Sequence, residues 1–133
     1  MTRPHHDLKV WQDAMGLARA VDALSAAFPP EERFGLTAQV RRSAIGVPSN
    51  IAEGCGRGGQ RELLKFLSVA RGSPPELETQ LRLAGDFGFC DPADVPTQVE
   101  SLFALLAGLI KVQRGKADSS RAAQRPTDKP RSG

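Results

Sequence analysis

Tyrosine is absent from this sequence, and Phe and Trp together make up only 5% of its 133 residues. Val and Ile, which sheets use heavily, total eleven residues. This composition argues against a β protein. The hydrophobic fraction of 40% is ordinary for a globular protein, and the length suits one domain. We therefore expect a single domain of the all-α class.

Cysteines and long apolar runs are also scarce. Cys55 and Cys90 form neither a disulfide framework nor a paired metal motif. The longest apolar stretch, 102–110, is interrupted by Gly108 and falls short of the roughly 18 residues of a membrane span. The first seven residues lack the apolar run of a signal peptide. We expect a cytoplasmic protein with reduced thiols and no membrane partner.

Four segments place apolar residues at steps of three and four, which is the spacing of one helix face. They predict helices over about 7–27, 33–53, 60–85 and 97–115, joined by short loops. This pattern is typical of an up-down antiparallel four-helix bundle. In the first helix, the predicted core face is Leu8, Trp11, Met15, Ala18, Val21, Leu24 and Phe28.

Proline and glycine predict irregularities in this bundle. Pro48 predicts a kink in the second helix, because the apolar pattern continues in phase beyond it. Pro74 and Pro75 predict a kink or a restart in the third helix, where Ser73 and Glu76 fit a capping box. The glycines of 54–59 predict the loop that ends the second helix.

The domain division follows from the same pattern. Residues 1–6 are expected to be a flexible N-terminus, 7–115 the four-helix bundle, and 116–133 a disordered basic tail. Up to Gln113 there are 12 Lys/Arg and 13 Asp/Glu, a net charge of −1. The remaining residues carry 6 Lys/Arg and 2 Asp, a net charge of +4.

A basic block lies inside the second and third helices. The segment 33–71 has seven Lys/Arg against two Glu, a local charge of +5. One interpretation is a solvated surface with local ion pairs to Glu53 and Glu62. The other is a site for RNA or DNA that is mostly bound by its phosphates, because no aromatic residues are interleaved for base stacking. The candidate nucleic-acid-binding residues are Arg41, Arg42, Arg57, Arg61 and Lys65.

No motif for catalysis, a cofactor or a metal stands out. Gly54, Gly56 and Gly59 fit G-x-G-x-x-G, but a dinucleotide fingerprint needs a preceding strand, and this segment follows a helix. The same loop, flanked by Arg57 and Arg61, remains a candidate phosphate site. His5 and His6 do not share a helix face, which argues against a metal site. We expect no enzymatic activity and no cofactor.

A second stripe of the second helix is polar and small. Gln39, Asn50 and Glu53 belong to it, together with Ser43 and Gly46 between them. A buried Asn–Glu pair is sometimes catalytic, but more often it ties a helix to its neighbour. We therefore predict that Gln39, Asn50 and Glu53 make contacts between helices or between subunits.

Several blocks resemble a known family. They are the segments 8–12, 28–29, 35–44, 47–54, 62–67, 72–73 and 76–81, in this order. The chain resembles the bacterial four-helix-bundle proteins first noticed as products of intervening sequences in large-subunit ribosomal RNA genes. The best match is Val-Pro-Ser-Asn-Ile-Ala-Glu-Gly at 47–54. The resemblance covers about 8–89, and Pro74–Pro75 departs from the family pattern.

The resemblance implies an antiparallel four-helix bundle and a ring-shaped homo-oligomer, typically a pentamer. It also implies kinship with the accessory protein of diversity-generating retroelements, which binds a reverse transcriptase and nucleic acid. We therefore expect an oligomeric scaffold that binds structured RNA or a nucleoprotein partner through basic residues of helices 2 and 3. The alternative is a protein–protein interaction module without a nucleic-acid ligand.

Overall fold

The computed structural model describes residues 5–124, with side chains described as far as residue 119. Over this range the chain forms four α-helices and no β-strand: α1 (Lys9–Ser25), α2 (Leu36–Arg57), α3 (Gln60–Asp86) and α4 (Gln98–Gln124). A short 3-10 helix follows α1 at Pro30–Glu32, and another follows α3 at Pro92–Asp94. The prediction of an all-α protein with four helices is confirmed.

The four helices share one apolar core. α2 packs against α1 and α3, and α4 packs against α3 and α1. The buried apolar residues of α2, α3 and α4 recur at steps of three and four, as the predicted helices require, since the hydrophobic effect selects a stripe that repeats at 3.6 residues. The largest fully buried apolar side chains are Leu17, Val21, Val40, Val47, Ile51, Leu67, Pro74, Leu77, Leu81, Leu102, Leu106 and Ile110.

The predicted core face of α1 is only partly right. Val21 is buried as predicted, but the other apolar residues that the helix buries are Val10, Ala14 and Leu17. Trp11, Met15 and Ala18 are only half-buried, and they line an open groove between α1 and α2 of about 580 Å³. Two overlapping apolar stripes exist on this helix, and periodicity alone does not say which of them faces the core. The N-cap residue of α1 is Leu8, whose side chain makes no capping bond.

α2 does not end at Gly54 but continues to Arg57. Gly54 is buried against α3, where an added Cβ would lie 2.9 Å from the Phe66 Cβ and 3.4 Å from the Leu63 Cα. This glycine therefore permits a close approach of two helices. The chain leaves the helix only at Gly58 and Gly59, whose φ angles of 70° and 91° suit glycine.

The third helix does not restart at Ser73. α3 is continuous from Gln60 to Asp86 across Pro74 and Pro75, as α2 is across Pro48. The Pro74 side chain is fully buried. Burial of its ring offsets part of the cost of the two missing backbone donors, which is roughly 3 kcal/mol for a proline inside a helix.

α4 extends nine residues beyond Gly115, where the sequence pattern predicts its end. A single glycine costs a helix only about 1 kcal/mol, and the following residues include the good helix formers Lys, Ala, Arg and Gln. Residues 125–133 of the predicted tail lie outside the described residues, as do residues 1–4 of the predicted N-terminus.

α4 is apolar on more than its core face. Phe103 and Val112 are 41% and 54% exposed. Within the described residues, the segment Pro92–Ser119 is long and apolar enough to span a membrane. Only 22% of its most apolar 18-residue stretch is buried inside the protein. No apolar run in this segment is unbroken, so the sequence pattern predicts no span. Core helices of soluble proteins pass the same length and composition test.

We predict that Gly54→Ala lowers the free energy of unfolding by about 1–3 kcal/mol, because the new methyl group forces α2 and α3 apart. Urea unfolding followed by circular dichroism measures this change. Gly56→Ala is the matched control, since a Cβ on this glycine of the same helix would meet nothing within 4 Å. Equal stability of the two variants would contradict the close contact.

Candidate nucleic-acid interface

Three of the five candidate cations meet where α2 turns into α3. We define the α2–α3 corner as residues 57–65. The Arg57 guanidinium carbon lies 5.2 Å from the centroid of the Phe66 ring, and the Lys65 ammonium lies 5.6 Å from it. Arg61 lies between them in the sequence and is exposed. Cation–π attraction of about 0.5–1 kcal/mol at an exposed site favours this clustering around one ring.

The acidic residues near the corner leave most of its positive charge free. Glu53 pairs with Arg57 across one helical turn, at 2.9 Å between Oε1 and Nε. Among the described residues Arg61 has no ion-pair partner. Glu62 was predicted as a possible partner of the arginines, but it pairs with neither, and its Oε2 is buried without a hydrogen-bond partner. The exposed Glu53–Arg57 pair contributes little to stability.

The backbone of the corner is open. Gly59 precedes α3 without a side-chain cap, so the first N–H groups of this 27-residue helix are not satisfied by a capping side chain. A Cβ on Gly58 or Gly59 would meet nothing within 4 Å. A phosphate can therefore approach the backbone here, at the positive end of the helix dipole.

Arg41 lies elsewhere and has a structural role. Its Nε donates to the Ser25 Oγ at 2.8 Å, and its Nη2 donates to the Asp22 carbonyl at 3.3 Å. Asp22 also pairs with it, at 3.4 Å between Oδ1 and Nε. Ser25 is buried at the end of α1. Arg41 thus ties α2 to α1, and its charge is largely committed within the chain.

Arg42 and Gln39 lie in a polar cleft between α2 and α3. The cleft has a volume of about 350 Å³, and its other lining residues are Ser43, Gly46, Ser73, Glu76 and Gln80. Arg42 is exposed and has no ion-pair partner within residues 5–119. It lies fifteen residues before Arg57 on α2, which is about 22 Å along a helix. The five cations therefore divide between separate places.

The polar stripe of α2 meets α3 through its middle residues. The Ser43 Oγ donates to the Gln80 Oε1 at 2.9 Å, and both side chains are buried. The Asn50 Nδ2 donates to the Gly46 carbonyl of its own helix at 2.7 Å, so this bond does not tie two helices together. Gln39 and Glu53, near the ends of the stripe, are exposed.

Sequence reasoning missed two residues that matter here. Gln80 is the buried partner of Ser43, but it looked like an ordinary polar position of α3. Phe66 belongs to the apolar pattern of α3, but its half-buried ring also contacts two cations of the corner. The sequence shows that Lys65 is next to Phe66. It does not show that Arg57 approaches the same ring, because that contact depends on how α2 packs against α3.

The two cysteines have the properties of inert thiols. Burial raises the pKa of the Cys55 thiol above its ordinary value. Burial also raises the pKa of the Cys90 thiol, and the negative charges of Asp94 and Asp91 raise it further. Both groups are therefore protonated at neutral pH, and a thiol is a weaker nucleophile than a thiolate. Within residues 5–119, no three His, Cys, Asp or Glu side chains group as metal ligands.

The molecule is thus an all-helical protein with a cationic corner between its second and third helices. The sequence profile of the 23S rRNA-intervening sequence protein family matches residues 6–111. The chain belongs to this family, as the resemblance in the sequence indicated. No curated protein matches the sequence.

We predict that Arg41→Gln lowers the free energy of unfolding by about 1 kcal/mol, because it removes the bonds to Ser25 and Asp22. Arg42→Gln is the matched control, and it should change stability by less than about 0.5 kcal/mol. Thermal unfolding at equal ionic strength makes the comparison. Equal melting temperatures for the two variants would mean that Arg41 is not a structural tie.

Proposed function

We propose that this chain is a non-enzymatic oligomeric scaffold that binds structured RNA through basic residues of helices 2 and 3. The observation that carries the proposal is the α2–α3 corner, where Arg57 and Lys65 meet at the Phe66 ring, close to an uncapped helix start. The exposed Arg61 lies one helical turn before Lys65 on the same face of α3. Membership of a family named for 23S rRNA intervening sequences is compatible with a role that involves RNA. The family name does not by itself specify a ligand.

The chemistry of the corner suits phosphates better than bases. The aromatic ring next to the corner, Phe66, is half-buried and already contacts two of its cations, so it is a poor stacking platform. Arginine and lysine side chains bind backbone phosphates and release counterions, which makes the affinity depend steeply on salt.

We also infer that the four helices form an up-down antiparallel bundle, with bends at Pro48 and at Pro74–Pro75. Four pairs of contacting residues support antiparallel neighbours, because a residue in the second half of one helix contacts a residue in the first half of the next helix, or the reverse. These pairs are Ser25 with Arg41, Ser43 with Gln80, Gly54 with Phe66, and Gln60 with Gln113. The missing N–H groups of the prolines favour the bends.

Oligomerisation is supported by two separate apolar surfaces. One is the groove between α1 and α2, lined in part by Trp11, Met15 and the 56% exposed Ile45. The other is the side of α4 around the 54% exposed Val112, which shares a helix face with the half-buried Leu105 and Leu109. Two different patches suit a head-to-tail contact, which closes into a ring when the rotation allows it. The proposed assembly is such a ring, for which the family resemblance suggests five copies.

For RNA binding we predict that Arg61→Gln/Lys65→Gln lowers the slope of log affinity against log salt by roughly two units, since each lost phosphate contact removes about 0.9. Fluorescence anisotropy with a labelled hairpin RNA measures the slope. Arg33→Gln/Arg82→Gln is the matched control. It removes the same charge from two exposed residues outside the corner, and it should leave the slope unchanged.

An equal decrease of the salt slope in both double variants would mean that RNA binding depends only on net charge, which would contradict a site at the corner. An unmodified protein that does not bind the RNA at low salt would favour the alternative function, a protein–protein interaction module.

For assembly we predict that Val112→Glu dissociates the oligomer, because it buries a charge in an apolar contact. Native mass spectrometry counts the subunits. Val69→Glu is the matched control, since Val69 is exposed to a similar degree, 51%, but lies on α3 outside both apolar surfaces. An unmodified protein that is a monomer, or a Val112→Glu variant that keeps its mass, would contradict the proposed interface.

A further inference from the structure

The last helix reaches past the end of its neighbour. Pro92, which precedes α4, lies close to Gly85 near the end of α3, 3.1 Å from the position of an added Cβ. At the other end, the Gln60 side chain at the start of α3 donates to the Gln113 carbonyl at 3.1 Å and to its Oε1 at 3.2 Å. Gln113 of α4 therefore lies beside Gln60, the first residue of α3. The following eleven residues, 114–124, which we name the overhang, extend about 16 Å further.

The described side chains of the overhang are largely uncovered. Arg114, Lys116 and Asp118 are exposed, and Ala117 is half-buried. The family match ends at residue 111. The overhang is therefore a feature of this chain outside the matched region, and nothing in the corner-based RNA site requires it.

Charge is distributed very unevenly between this end and the rest of the molecule. The segment 111–124 has four Lys/Arg and one Asp, a net charge of +3, and the corner 57–65 has three Lys/Arg and one Glu, a net charge of +2. The remaining residues up to 124 have eight Lys/Arg and twelve Asp/Glu, a net charge of −4. The Gln60–Gln113 contact brings the two positive segments to the same end of the protein.

We infer that the overhang and the corner form one two-armed site for the phosphate backbone of double-helical RNA. The inference rests on the proposed RNA-binding function and adds a second arm and a ligand class to it. The segment 111–124 has no aromatic residue, so it offers no platform for the stacked bases of a single strand. An exposed basic helix instead suits the regular rows of phosphates along a duplex, which proteins recognise by shape and backbone contacts.

The test measures the binding of a labelled 20-base-pair RNA duplex to the full chain over a series of salt concentrations. Lys111→Gln/Arg114→Gln, the overhang variant, removes two exposed charges that lie three residues apart on one face of α4 at the base of the overhang. It should lower the salt slope by roughly two units, as much as Arg61→Gln/Lys65→Gln does. Arg33→Gln/Arg82→Gln, which removes the same charge away from both arms, should leave the slope unchanged. A single-stranded RNA of the same length should bind more weakly than the duplex.

A gain of affinity provides a check that misfolding cannot imitate. Asp118 is the one acidic residue of the overhang, so Asp118→Asn should tighten duplex binding about threefold, the effect of roughly one unit charge at 6 Å in water. Glu100→Gln is the matched control, because it removes one exposed negative charge near the other end of the same helix. It should leave the affinity unchanged.

The outcomes separate this inference from the function on which it rests. If the corner variant weakens duplex binding and the overhang variant does not, the second arm is overturned while the proposed function stands. If truncation after Gln124 lowers the slope but the overhang variant does not, the binding charges belong to residues 125–133 and the inference fails. If the overhang variant alone weakens binding, the overhang stands as a site and the corner is overturned. If the unmodified chain binds the hairpin RNA but no duplex, the inference fails and the proposed function stands. If it binds neither, both proposals fail.

Discussion

The close contact between α2 and α3 is the constraint on which the rest of the structure depends. Gly54 lets the Phe66 and Leu63 side of α3 approach the backbone of α2, where any Cβ would collide. Further along, the buried Ser43–Gln80 hydrogen bond fixes the register of the same two helices. This packing brings the Phe66 ring within reach of Arg57, so the geometry of the cationic corner follows from the packing of the core.

Much of the fold was predictable because the hydrophobic periodicity is strong. The buried face of α2 follows from it, and so does the all-α class. Local rules failed where tertiary packing overrode them. Gly54 and Pro74 looked like helix breakers, but each is buried inside a continuous helix. The stripe of α1 with Trp11 and Met15 looked like core, yet it lines an open groove, which is where a partner subunit is proposed to bind.

The candidate site was only partly readable from the sequence. The charges of the basic block were visible, but their partners were not, because those partners lie on other helices. Arg41 is tied to Ser25 of α1, whereas Arg61 is free in the described part of the chain. In the proposed ring, each copy would repeat the corner and the α4 overhang. Weak contacts to one long RNA would then combine into a high avidity.

The central claim is that this chain assembles and that the assembly binds structured RNA. Multi-angle light scattering of the full chain, with and without a hairpin RNA at low and moderate salt, tests both parts together. The account predicts a particle of several copies of the 14.3 kDa chain, about five for the proposed ring, whose mass rises with RNA at low salt and falls back as salt is added. A monomer whose mass does not change with RNA would contradict the account.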